Sequence, residues 1–198
     1  MPRIVQFPAF RLLLPLLAAA LSACASSPHT GDYLAASSRH PGLTCAPFAR
    51  ELSGIALYGD ADTWWDGAAG HYARANRPAV GSVLVLQRSA RLPTGHVAVV
   101  SRVLTPRQIL VIQANWVPGE LDEDQLVIDV SERNDWTEVR VWYPPVNQMG
   151  SHAYPAFGFI LPPQPATHEE LVRATQPAVQ YAMSGGGRQP PRARLYGG

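Results

Sequence analysis

Within residues 41–161 the apolar positions change period once. Across residues 45–57 they recur at 45, 48, 49, 52, 55 and 56, the spacing of one helix face. Thr44 stands where an N-cap belongs, Pro47 is tolerated in a first turn, and Gly59 is placed to end the helix. Residues 60–75 (DADTWWDGAAGHYARA) read as a second, less regular helical segment, with Trp64, Ala68, Tyr72 and Ala75 on its inward face. After the loop Asn76-Arg77-Pro78 the pattern turns into short β-rich runs at 82–87, 96–103, 109–115, 126–130 and 139–143, with 157–161 as one more. Helices first and a consecutive antiparallel meander afterwards predict an α+β domain, N-terminal helices packed on an antiparallel sheet of about five to six strands.

The two ends differ from this middle. Arg3 and Arg11 supply positive charge around an apolar stretch at 12–21 (LLLPLLAAAL), the length of a signal-peptide core. It is shorter than the roughly 20 residues of a membrane span, and Pro15 interrupts it. Leu21-Ser22-Ala23-Cys24 follows and resembles a bacterial lipobox. The expectation is a signal peptide at 1–23, lipid on Cys24, and a small, polar tether at 24–40. The domain then spans 41–162, and 163–198 form a Pro- and Gly-rich tail. Such a tail buries too little apolar surface to offset its chain entropy. It is expected to be largely disordered, with one short helix at 168–176. The lipid implies anchoring to a membrane at the periplasmic face of the cell envelope, and Ala25 after the cysteine favours the outer membrane.

Charge narrows the choice of partner. All sixteen basic residues are arginine, set against fifteen acids. Without Arg3 and Arg11 the chain is near neutral, which removes the electrostatic case for nucleic acid. There is no internal repeat and no Gly-rich phosphate loop. His71 and His152 lack metal-ligand spacing to other donors, and Asp60, Asp62 and Asp66 read as solvated helix-cap acids. No metal, no cofactor and a monomeric state are expected.

The chain has two cysteines. With Cys24 acylated, Cys45 is an unpaired thiol in an exported protein, where thiols are usually oxidised or lost. A helix N-terminus and a nearby imidazolium both lower a thiol pKa. Adjacent antiparallel strands bring His96 near Gln113 or Asn115, and the helix packing on the sheet brings Cys45 to His96. That makes a Cys–His–amide constellation suited to nucleophilic amide cleavage. Taken singly, each residue has a plainer reading: a buried cysteine packs, a strand histidine sits in a core, and Asn115 is a turn residue.

Cys45 at a helix start, Gly81-Ser82-Val83-Leu84-Val85-Leu86, Gly95-His96-Val97-Ala98-Val99-Val100 and Ile112-Gln113-Ala114-Asn115-Trp116 together resemble a CHAP domain, a cysteine, histidine-dependent amidohydrolase/peptidase. The likeness covers about residues 41–145 and implies a papain-like fold of the NlpC type. By it, Cys45 is the nucleophile, His96 the general base and acid, and Asn115 the orienting amide. Gln113 stands where the family often has Glu, so it serves as a hydrogen-bonding partner or oxyanion contributor without charge. Trp116 and Trp65 are expected to line a substrate groove, with Trp64 in the core. The implied activity is cleavage of an amide or peptide bond of a peptidoglycan peptide through an acyl-enzyme. Two other readings stand beside it: a weak or inactive domain that binds peptidoglycan or a partner protein, and a structural lipoprotein in which Cys45 is merely buried.

Overall fold

The computed structural model describes Met1 and residues 37–185. Nine strands and three helices follow in chain order. Strand β1 is Ser37–Arg39, helix α1 Cys45–Ser53, and α2 the single turn Trp64–Gly67, entered through a 3-10 turn at Ala61–Thr63. Then come β2 (Arg74–Ala75), β3 (Val83–Leu86), β4 (His96–Thr105), β5 (Gln108–Ala114), β6 (Glu120–Asp129), β7 (Glu138–Tyr143), β8 (Gln148–Met149) and β9 (Tyr154–Ile160). Helix α3 (His168–Met183) closes the described chain.

The strand pairings are antiparallel, and the order β6-β5-β4-β3-β9-β7 is closed by pairing of β7 back onto β6. The mixed α and β composition matches the expectation, but the sheet is a six-stranded barrel where an open meander was expected. The pairing of β3 with β9 brings together residues far apart in sequence, such as Val83 and Ile160, whereas β6 and β7 are consecutive strands. Closure explains why β3 reads as an unbroken apolar run. Leu84 and Leu86 point with Val100, Val111, Val141 and Phe159 into one core. Val83 and Val85 point the other way, with Val97, Val99 and Ile112, toward the helices.

Helix α1 covers that outer face with Phe48, Ala49 and Leu52, and Ile55 follows into the same core. It ends earlier than expected. Gly54, at φ 71, takes the left-handed position and donates its N–H to Arg50 O, so Gly54 and not Gly59 is the stop. The segment after it is not one helix, yet Trp64 and Ala68 are buried and Tyr72 and Ala75 half-buried, on the side expected of them.

Two expectations about the flanks change. Residues 37–39 of the expected tether pair with β6 as β1. Within the expected tail, α3 runs seven residues beyond 176, to Met183. Its start is a capping box, in which Thr167 Oγ1 accepts the Glu170 N–H and the Glu170 carboxylate accepts the Thr167 N–H. Leu171, Ala178 and Val179 are buried in the helix-side core, with Thr175 buried beside them, which offsets the chain entropy that the composition of the segment does not meet. His168 Nε2 also meets Asp124 at 2.9 Å, holding the start of α3 to β6. The lipidation expected at Cys24, the signal segment and the arginines at 188, 192 and 194 lie outside the described residues. Among the described residues no helix is long and apolar enough to cross a membrane.

Candidate active site

Cys45 is the first residue of α1 and is partly buried. Thr44 is extended, and its hydroxyl caps none of the first-turn N–H groups. His96 is the first residue of β4 and is buried. Gly95 fixes where that strand begins. Its φ is 70, and a Cβ there would stand 2.7 Å from both the Asp62 nitrogen and the Leu86 oxygen. Only glycine lets the start of β4 abut the 3-10 turn so closely, and the Asp62 N–H to Thr94 O bond at 3.0 Å holds the approach.

The His96 Nε2–H donates to Gln113 Oε1 at 2.8 Å. A carboxamide oxygen can only accept, so this bond fixes the tautomer and leaves Nδ1 for the thiol. Gln113 is itself oriented, because its NH2 donates to the Oε1 of buried Gln125 on β6. Gln113 is therefore the orienting amide. Asn115, expected in that role, is exposed and left-handed at φ 63, and its carboxamide oxygen accepts the Gly119 N–H at 2.8 Å. It shapes the β5–β6 turn and is not bonded to His96. The end of the strand explains the choice: Gln113 is still on β5 and faces away from the helix-side core that Ala114 joins, while Asn115 has already left the strand.

The electrostatics favour an ion pair. Burial raises the Cys45 thiol, but the charge and hydrogen bond of His96, with the Val97 and Ala46 backbone N–H groups, outweigh it and hold the thiol below its ordinary range. For His96, burial opposes protonation. The Cys45 charge and hydrogen bond, the Gln113 bond and the negative charge of Asp122 overcome that and raise its pKa.

Asp122 escaped the sequence reading. It is fully buried on β6, directly opposite Gln113 in the strand register. In the sequence it sits in Leu121-Asp122-Glu123-Asp124, which looks like a solvated acidic stretch. Only the pairing of β5 with β6 sets this acid behind Gln113, where its charge favours the protonated His96 ring. No alternation marks it, because Asp122, Glu123, Asp124 and Gln125 follow Leu121 without an apolar residue between them.

Trp116 packs edge-on to His96, with ring centroids 5.2 Å apart, and Tyr154 packs edge-on to Trp116 at 5.1 Å. Trp116 thus lies beside the site as expected. Trp65 does not join it. Its ring stacks on Phe157 at 5.8 Å with the Arg74 guanidinium over it at 4.9 Å, because α2 is a single turn that lays Trp65 on β9. Trp64 is in the core. Asp60 and Asp62 are engaged by Arg88, the latter at 2.8 Å. Among the described residues no cluster of three or more His, Cys, Asp or Glu is arranged to hold a metal ion.

A thiol at a helix N-terminus, an imidazole against it and an amide fixing that imidazole define a site of the cysteine-hydrolase class. The CHAP domain family model matches residues 35–115, a segment that holds Cys45, His96, Gln113 and Asn115, and so bears out the resemblance read from the motifs. CHAP domains are generally amidase or peptidase hydrolases, and the match points to a peptidoglycan hydrolase-like function. The matched segment stops before β6, so Asp122 and Gln125 lie beyond it. No curated protein and no solved structure matches the chain.

Proposed function

We propose that the chain is a thiol amidohydrolase that cleaves an amide bond in peptidoglycan peptides, held at the periplasmic face of the envelope by lipid on Cys24. The observation that carries this reading is the Cys45–His96–Gln113 arrangement at the start of α1, with the thiol lowered and the imidazole raised.

The Cys45 thiolate attacks the carbonyl carbon, forming a C–S bond and an oxyanion. The N–H groups of the first turn of α1, which Thr44 does not cap, are the donors for that oxyanion. The imidazolium of His96 passes its proton to the leaving nitrogen, the C–N bond breaks, and a thioester remains. Water then attacks the thioester, His96 takes its proton, and the Cys45 thiolate leaves. Gln113 keeps the His96 ring in plane throughout, and Asp122 supports its charge.

The test is incubation of the purified protein with wall sacculi, followed by mass spectrometry of the released peptides, beside Cys45→Ala. Release by the wild type alone is expected, and the fragment masses identify the bond. Equal release from both proteins would sink the hydrolase reading.

A further inference from the structure

All six barrel strands meet the active site at one mouth. There β3, β5 and β7 end, at Leu86, Ala114 and Tyr143, and β4, β6 and β9 begin, at His96, Glu120 and Tyr154. A cavity of about 470 Å³ opens at this mouth. Its size falls in the range of small-ligand sites, and barrel mouths are a common place for them. Trp116, whose ring packs against His96, forms one wall, and Tyr154, packed on Trp116, continues it. Two other cavities, of about 410 and 380 Å³, include neither Trp116 nor any residue of the Cys45–His96–Gln113 set in their linings.

We propose that this cavity is a subsite for an acidic peptide, in which Arg91 takes a free carboxylate while a neighbouring amide of the same peptide lies at Cys45. The inference rests on the hydrolase reading given above. Three observations carry it. First, the lining holds a guanidinium, Arg91, and an imidazole, His152, and no carboxylate. Second, Arg91 is exposed and enters no ion pair among the described residues, whereas Arg88, three positions earlier, is held by Asp60 and Asp62. The guanidinium lies close enough to Tyr154 to oppose the rise that burial causes in its phenol. Third, two large apolar side chains, Tyr143 and Val146, are 40% and 58% exposed in the same lining. An apolar wall with one unpaired cation suits a short peptide that carries a carboxylate, since a guanidinium binds a carboxylate through two parallel hydrogen bonds. Arg91 and Leu92 belong to the matched family segment, whereas the rest of this lining, from Trp116 to Tyr154, lies beyond it.

The test is binding of two synthetic peptides to the full chain carrying Cys45→Ala, which removes turnover. One is L-Ala-γ-D-Glu-diaminopimelate, and the other has every carboxylate replaced by carboxamide. Calorimetry reads the affinities. The free acid is expected to bind about tenfold to a hundredfold more tightly, as for a lost hydrogen bond to a charged group. Adding Arg91→Gln removes that preference, and Arg91→Lys restores part of it. Arg91 is on an exposed loop, and matching thermal melts show that its variants fold. Equal binding of both peptides, binding of neither, or a preference that survives Arg91→Gln would each overturn the subsite. Release from sacculi is scored separately. Turnover that ignores Arg91 removes only the subsite, whereas Arg91-dependent binding without any release removes only the hydrolase reading.

Discussion

Replacing Asp122 by asparagine removes one buried negative charge while keeping the side-chain shape. Asp122 stands opposite Gln113 on the neighbouring strand, and Gln113 is hydrogen-bonded to His96 at 2.8 Å. Asp122 on β6 lies two strands from His96 on β4, and at about 4.7–4.9 Å per strand that sets the carboxylate roughly 9 Å from the imidazole. At that distance and an effective dielectric of about 20, Coulomb's law gives about 1.8 kcal/mol, or a little over one pKa unit. The anion favours the protonated ring, so its removal lowers the His96 pKa. The expected drop is about one unit, since asparagine keeps part of the dipole. NMR titration of the His96 ring in Cys45→Ala, with and without Asp122→Asn, measures this without the thiolate. In the active protein the same substitution moves the basic limb of the kcat/KM profile to lower pH, because His96 then loses its proton sooner. A His96 pKa unchanged within about 0.3 units, in a variant that melts like its parent, would refute the reasoning.

Gln113→Ala is expected to lower turnover by about 10²- to 10⁴-fold, since it releases the His96 ring and its proton transfer. Asn115→Ala leaves turnover near wild type and lowers stability by about 1 kcal/mol through the left-handed backbone it must keep; paired kinetics and melts separate the two. Alkylation of Cys45 by iodoacetamide is expected to persist at neutral pH and to fall as pH drops through the lowered thiol pKa, whereas His96→Ala moves the profile upward toward the ordinary thiol range. Leu171→Ala, on the buried face of α3, is expected to cost about 2–5 kcal/mol in denaturant unfolding, an effect absent if that segment were unpacked.

Much of the site could be read along the chain. Cys45 opens a helix because the apolar spacing of 45–56 is helical and Thr44 precedes it, and His96 opens a strand because Gly95 punctuates an apolar run. The distinction between Gln113 and Asn115 could not be read as easily. Both are amides two residues apart, so alternation gives them the same side, and only the end of β5 at Ala114 separates them. The length of α3 was half legible: Thr167 and Glu170 spell a capping box, but the helix-side core that makes it worth folding comes from β3, β4 and α1.

The sequence by itself determined the local events: where α1 and β4 begin, which thiol and imidazole are available, and that the middle of the chain is helical first and stranded afterwards. These follow from periodicity, caps and glycine, which act over a few residues. The tertiary structure decided the rest. Closure of the barrel through β3–β9 and the mouth that gathers Arg91, Trp116 and Tyr154 depend on pairing between distant segments, and the seat of Asp122 behind Gln113 depends on the register of β6 on β5. Register is fixed by which faces bury together across the whole sheet, and a shift of one residue would turn Asp122 to the opposite face.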